Sequence, residues 1–427
     1  MAAKARRSVG SMNASTEMRM PLLDVAFYLL DSDYSPQDFT LIFHLRNPPP
    51  VDRLQAGATS AMNRFPKSGS CIERNKWVWR EDTQFKLSGA TSAIEGFIEE
   101  PFDLRQQPPV KQALISDGSG TRLVTRFHHA AADGLSAALW LGHQLNVAYG
   151  MEAVKRERAP FVEVTLRRPS TSVRTSVCTS VHKSQFAFDK ASDPLWTSQS
   201  ERSGSRRWLT IGFPASDLQK ACRRAGGFTY NDLLATCTLE LFSQWNSICR
   251  GGPYNKRIGL WMPMNVRRES SVGFGNGASR IRLYARYKSA APLVEKAREV
   301  RRQVSWTSKH GEWVVPDISW LTRLPHSVTR PLLRNYLRRS SVDMATGVFS
   351  HASSWIAQAG EAFKHVEKIE CVGLLHPRQN LAINAATHGG QTWLTFTYDR
   401  QLFSVDDVRQ LAAMYEQQIA MAQQELV

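Results

Sequence analysis

Long apolar runs are missing from this chain. Nothing approaches the ~20 consecutive apolar residues that a membrane-spanning helix needs, and the early stretch Leu22 to Leu30 is interrupted by Asp24. No apolar region follows Lys4, Arg6 and Arg7, so the N-terminus does not read as a secretory signal. Any lipid contact is therefore expected to be peripheral. Cysteine pairs are missing too: Cys71, Cys178, Cys222, Cys237, Cys249 and Cys371 are scattered without C-x-x-C spacing. That argues against a zinc site and a disulfide framework and makes a reducing cytoplasm the expected setting. Acidic side chains are the scarce charge, with 38 Asp plus Glu against 54 Lys plus Arg and a net charge of +16. Such a surface attracts anions, including phosphate-bearing cofactors, acidic proteins, anionic lipid and nucleic acid. Nucleic acid has no support beyond charge, since there is no zinc finger, RNP-like aromatic motif or basic stripe with interleaved aromatics. No specific nucleic-acid partner is expected.

What is present is an ordinary globular composition, 42% hydrophobic and 22% charged over 427 residues, which excludes a disordered or fibrous chain. At roughly 100 to 200 residues per domain, two or three lobes are expected. Residues 1–18 read as a basic polar arm and 19–165 as an N-terminal lobe. Residues 166–206, rich in Ser, Thr and basic side chains, read as a linker or crossover, and 207–427 as a C-terminal lobe. In the first lobe the pattern predicts a strand over 39–45, a helix over 51–64, a hairpin of 110–116 and 121–128 around Asp117-Gly118-Ser119-Gly120, and a buried helix over 135–149. The second lobe alternates strands (207–213, 257–264, 280–287, 381–386, 392–398) with helices (215–225, 230–245, 292–306, 405–423). This is an α/β pattern in both halves. A basic amphipathic helix is expected over 331–339, with Arg330, Arg334 and Arg338 at helical spacing, as a core-packed helix or a contact for lipid or a partner.

His128-His129-Ala130-Ala131-Ala132-Asp133-Gly134 follows the second hairpin strand. Four defined residues in seven positions are expected by chance in about one chain per thousand of this length. Consecutive strand side chains diverge, so one histidine should turn toward packing and the other toward a site, which disfavours a two-histidine metal centre. The three alanines leave room for a close approach, and Asp133 stands where it would cap a helix. A capped helix alone would explain Asp133, and a packed core histidine would explain either imidazole. Gly273-Phe274-Gly275-Asn276-Gly277-Ala278 formally matches a dinucleotide fingerprint, but Arg268, Glu269, Ser270 and Ser271 stand where that fold needs a buried strand. His376 and His388 lack ligand spacing and read as structural.

His128-His129-x-x-x-Asp133-Gly134 resembles the H-H-x-x-x-D-G signature of the acyltransferase superfamily that includes chloramphenicol acetyltransferase, nonribosomal peptide condensation domains and wax ester synthases. Other segments resemble it in the expected order. They are Met20-Pro21-Leu22-Leu23-Asp24 with Phe27, Pro101-Phe102-Asp103-Leu104, Thr229-Tyr230-Asn231-Asp232, Met262-Pro263-Met264-Asn265-Val266-Arg267, and Gly273-Phe274-Gly275-Asn276. The resemblance thus spans nearly the whole chain. The Ser and Gln near the start of condensation domains and the D-F-G-W-G of some plant acyltransferases are absent, as is a carrier-protein serine motif, so a free-standing enzyme is implied.

The resemblance implies two chloramphenicol-acetyltransferase-like lobes, each a mixed β-sheet with flanking helices, and an active-site tunnel between them. It implies transfer of an acyl group from a thioester to a hydroxyl or amine by direct attack, with His129 as general base. Asp133 would pair with Arg267 to hold the loop, while Gly134, His128, Asn265 and Asn276 would support it. No tightly bound cofactor or metal is expected; acyl-CoA or an acyl-phosphopantetheine thioester on a carrier protein would be the co-substrate. Arginines such as Arg280, Arg282, Arg286, Arg298, Arg301 and Arg302 would suit its phosphates or an acidic carrier helix. A monomer is expected. A carrier-protein-dependent condensation enzyme and a non-catalytic carrier-binding scaffold remain as alternatives.

Overall fold

The computed structural model describes residues 16–426, apart from 34, 81–84, 90–93, 119, 168–191, 253–256, 269–272, 287–289, 311–318, 340–344, 353–355, 357–359 and 377. Most of the expected arm and of the 166–206 crossover therefore lies outside the described residues.

The first lobe is built on a five-stranded mixed sheet. The almost continuously buried β2 (Asp38–Leu45) pairs with β7 (Gly120–His128), the middle strand of the five. The tight turn from β6 (Val110–Asp117) into β7 has Gly120 at φ +118°, a conformation that side chains rarely adopt. The short β5 (Ser88–Gly89) closes one edge, and the short helix α3 (Ile94–Glu99) follows it in the chain. Two helices, α2 (Val51–Arg64) and α4 (Gly134–Ala148), pack on this sheet through Leu54, Ala58, Trp140 and Leu141, with Phe127 and Trp77 in the same core. A smaller sheet of β1 (Glu17–Arg19), β4 (Lys76–Trp79) and β3 (Ser70–Glu73) flanks it, and α1 (Leu22–Leu30) precedes β2.

The second lobe is a six-stranded mixed sheet in the order β10 (Ala278–Arg286), β9 (Arg257–Asn265), β11 (Gly347–His351), β13 (Leu381–His388), β14 (Gln391–Asp399) and β8 (Arg206–Pro214). One face carries Leu260, Ile281, Phe349, Ile383 and Phe396 and is covered by α5 (Ser216–Ala225), α6 (Tyr230–Cys249), α7 (Leu293–His310) and α9 (Val405–Leu426). The start of α6 is a capping box: Thr229 and Asp232 exchange side-chain and backbone bonds. The chain thus has the two-lobed α/β architecture expected, and the predicted elements recur with ends shifted by a few residues.

Lobe membership does not follow chain order everywhere. The strand β12 (Val366–Val372), absent from the sequence reading, pairs with β2 and so supplies the edge of the first lobe's sheet from within 207–427. The basic helix begins five residues earlier than expected, as α8 (His326–Arg339). Proline commonly marks a helix start, but here the helix runs through Pro331 at the loss of one backbone bond. Leu333 is buried and Leu332 exposed; the side chains of Arg334 and Arg338 lie outside the described residues.

One buried charge cluster ties the lobes together. Arg206 of β8 donates to both carboxylate oxygens of Asp38 at 2.9 Å and to its carbonyl at 2.7 Å, while Arg126 of β7 donates to the same carboxylate at 3.1 and 3.2 Å. Burial would raise the Asp38 pKa, but the two guanidiniums outweigh it and hold it below the usual carboxylate value. Its contribution to stability is therefore complete above pH 3.8 and is lost as pH falls through the lowered folded value. Asp38→Ala should lower the unfolding free energy at pH 7 by about 3 to 5 kcal/mol in urea denaturation, because it strands two buried cations. A loss within about 0.5 kcal/mol, as for a surface change, would show that this cluster does not join the lobes.

Candidate active site

The histidine motif lies where β7 ends and α4 begins. The two imidazoles diverge as strand geometry requires. His128 is 1% exposed; its Nδ1 accepts the Ala130 N–H at 3.0 Å and its Nε2 lies 3.4 Å from the Asp31 carboxylate, with Phe102 edge-on to the ring. It braces the turn. Ala130, Ala131 and Ala132 are all buried in the first lobe's core. Their small side chains let the loop pack closely against that core.

His129 points the other way. Its ring stacks on Phe27 (centroids 4.7 Å, 18° between planes) and leans on Phe39 (4.7 Å), so the imidazole is clamped by two aromatic faces. Its N–H donates to the Gln37 carbonyl at 2.7 Å, and its carbonyl accepts from the Asn276 side chain at 2.7 Å. The backbone is thus held from both lobes. Nδ1 is buried without a hydrogen-bond partner among the described residues, while the residue as a whole stays partly accessible. Exchange of a proton with anything in solution must therefore pass through Nε2. Burial pushes the His129 pKa down to about 4, opposed by the charge of Asp133 and reinforced by His128, so the ring is neutral across the physiological range.

Asp133 is both the helix cap and half of an ion pair. Its Oδ1 accepts the Ser136 N–H at 3.1 Å and the Arg267 guanidinium at 2.7 Å, and its Oδ2 accepts the Gly277 N–H at 2.8 Å. Burial would raise this carboxyl's pKa, but Arg267 and the two backbone donors hold it down. Arg267 also reaches the Gly275 carbonyl at 2.8 Å, and Asn265 fixes the Arg267 backbone by accepting its N–H at 3.1 Å. Gly277 is required here, because a Cβ would collide with the Arg267 side chain. Gly134 opens α4 without a positive φ, so it sits at a helix start rather than at a strained turn.

A second buried pair went unread in the sequence. Lys67, in a short 3₁₀ turn (Pro66–Gly69), lies 2.5 Å from Asp24 of α1, whose carboxylate also accepts from Trp77 (2.9 Å) and Asn276 (3.0 Å). Asn276 therefore bridges the Asp24–Lys67 pair to the His129 backbone. Nothing local in Pro66-Lys67-Ser68-Gly69 marks this lysine as buried. The only available signal was Asp24 interrupting an apolar helix, which demands a partner.

The candidate phosphate-binding arginines do not converge. Arg280 and Arg282 lie on β10, whereas Arg298, Arg301 and Arg302 lie on α7, which packs on the opposite face of the same sheet; Arg301 pairs with Asp232 and Arg302 with Glu299. The strand's alternation separates the two sets, and the side chain of Arg286 lies outside the described residues. His376 follows β12 and packs edge-on against Trp261 of β9.

No protein-family model matches the chain, and no curated protein matches it in sequence. Solved structures do. The cyclization-docking bidomain of a nonribosomal peptide synthetase from Sorangium cellulosum matches with a TM-score of 0.67 at 13% identity, covering 95% of this chain and 84% of that one. Trichothecene 15-O-acetyltransferase from Fusarium sporotrichioides matches at 0.65 and 11% identity (95% and 94% covered). The starter condensation domain of rhizomide synthetase, in a structure with C8-CoA and Leu-SNAC, matches at 0.64 and 11% identity (95% and 94%). The chain has the condensation-domain and acyltransferase fold.

Within that fold, the motif aspartate is a cross-lobe tie. Asp133→Ala and Arg267→Ala should each destabilise the protein by about 3 to 5 kcal/mol. The double variant should lose much less than the sum, giving a coupling of about 1 to 3 kcal/mol in denaturant titrations. Additive losses would show that the pair is not a unit.

Proposed function

We propose that this protein is an acyltransferase that moves an acyl group from a thioester, acyl-CoA or acyl-phosphopantetheine, to a hydroxyl or amine, with His129 as general base. The observation that carries the proposal is a neutral, partly accessible imidazole whose Nδ1 is sealed off and whose ring and backbone are fixed from both lobes. The fold supports the same reading.

The acceptor's hydroxyl or amine attacks the thioester carbonyl as His129 Nε2 takes its proton. The tetrahedral intermediate collapses, the C–S bond breaks and the imidazolium returns that proton to the leaving thiolate. A base with a pKa near 4 is entirely in its working form at pH 7. Its weak basicity requires proton removal to accompany bond formation, and its conjugate acid protonates a thiolate readily. The Gly134 N–H, at the start of α4, offers a backbone donor for the developing oxyanion. Asp133 and Arg267 act through the loop they hold and do not meet the substrate. No acyl-enzyme is required. A carrier-protein donor would leave this chemistry unchanged, and a scaffold without catalysis would not need His129 clamped and neutral.

Thiol release from a panel of acyl-CoA thioesters, with pooled alcohol and amine acceptors, should fall by roughly 10²- to 10⁴-fold in His129→Ala. No release with any CoA donor but release from acyl-carrier proteins would assign the donor to a carrier, and equal release by both proteins would overturn the role of His129. The acid limb of kcat/KM should sit well below pH 6.5, because the folded pKa is lowered; a limb at or above 6.5 would contradict the buried, neutral base.

A further inference from the structure

The face of the second lobe's sheet that its helices do not cover has a chemistry the mechanism above leaves unused. Along β9 and β10 the alternation places Ile258, Leu260, Met262, Ile281 and Leu283 in the core. Trp261, Arg280 and Arg282 therefore take the other face, with Trp261 opposite Arg282 in the register. The Arg280 guanidinium lies 4.2 Å over the Trp261 ring, and His376 packs against the same indole with centroids 5.2 Å apart at 79°.

A short chain of bonds joins this cluster to His129. The carbonyl of Leu375 accepts from Ser35 Oγ (3.3 Å), Ser35 accepts from the Gln37 side chain (2.9 and 3.0 Å), and the Gln37 carbonyl accepts the His129 N–H. His129 and His376 are thus anchored to adjacent segments. Burial and the nearby charges of Arg280 and Arg202 push the His376 pKa down, and Arg202 also holds the His376 carbonyl at 2.6 Å.

The indole Nε1–H of Trp261 is buried and has no acceptor among the described residues. An unpaired buried donor is costly, and such groups in folded proteins commonly mark a missing ligand or water. A site made of a buried N–H donor, a guanidinium and an imidazole is built for an oxyanion. The phosphates of coenzyme A stand at the far end of the pantetheine arm from its thioester. An oxyanion held on the segment bonded through Ser35 and Gln37 to the His129 backbone therefore belongs to the reacting end of a substrate.

We infer that Trp261, Arg280 and His376 form a carboxylate-binding subsite beside His129, so that one of the two substrates carries a carboxylate near the bond being made. This rests on the acyl-transfer reading and narrows its substrate class. The carboxylate sits either on the acceptor, as in a hydroxy or amino acid, or at the distal end of the acyl group, as in a dicarboxylic half-thioester.

The test compares matched pairs with wild-type protein, Trp261→Phe and Arg280→Gln, each checked for folding by circular dichroism. One arm uses hydroxy and amino acids against their methyl esters with acetyl-CoA, and the other succinyl-CoA against butyryl-CoA with a neutral alcohol. The same probes are titrated calorimetrically into His129→Ala, which reads binding without turnover. In one arm the carboxylate form should be preferred roughly tenfold or more, in kcat/KM or in affinity, and the preference should shrink toward parity in both variants. Parity in both arms of the wild type, or an undiminished preference in both variants, would overturn the subsite. Preferred binding with no thiol release from either CoA or acyl-carrier-protein donors would sink the transferase reading and leave the subsite standing; thiol release without preference would do the reverse.

Discussion

The site depends on a carboxylate and a guanidinium meeting where the lobes join. Asp133 belongs to the first lobe, at the start of α4, and Arg267 to the second, just after β9; each is only 4% exposed. Ion pairs out of water are favourable only when their remaining hydrogen-bonding capacity is used. Here it is, by Ser136, Gly275 and Gly277. The loop 273–277 is thereby pinned across the interface, and it carries Asn276 to the carbonyl of His129. Breaking the pair would release the second lobe's hold on the histidine without touching the imidazole.

Two other buried carboxylates repeat the device. Asp24 is matched by Lys67, and Asp38 by Arg126 and Arg206. Each links segments far apart in the chain, and each reaches His129 or a residue bonded to it: Asp24 through Asn276, Asp38 through its own strand, where Phe39 packs on the imidazole. His129 is surrounded by charge that is already paired. It can therefore be buried, neutral and immobile together, which a base in a preorganised site requires.

The locally encoded parts of this arrangement were legible in the sequence. The hairpin ending at His128 announces itself through its Asp-Gly-Ser-Gly turn, α4 through its apolar content and Asp133 cap, and the spacing of the motif through its rarity. The resemblance supplied the Asp133–Arg267 pair, which spacing alone does not. What stayed hidden is long-range. The strand β12 alternates too irregularly around Glu367, Lys368 and Glu370 to read as the partner of β2, some 320 residues away. Lys67 and the Asp38–Arg206 tie look like surface charges until the fold buries them. The arginines grouped by composition were divided by the alternation of β10 and the placement of α7, and His376, read as structural, came to lie against Trp261.

The account turns on His129 being uncharged in the folded protein because its ring is enclosed. An NMR titration of the His129 ring protons or nitrogens, assigned by comparison with His129→Ala, measures this directly. The account predicts a single neutral form from pH 8 down through pH 6.5, with protonation only far below the ordinary histidine value and toward about 4. Titration at or above pH 6.5 would contradict it, because an imidazole that charges as readily as one in water is not held in the enclosed, paired surroundings from which its role was argued.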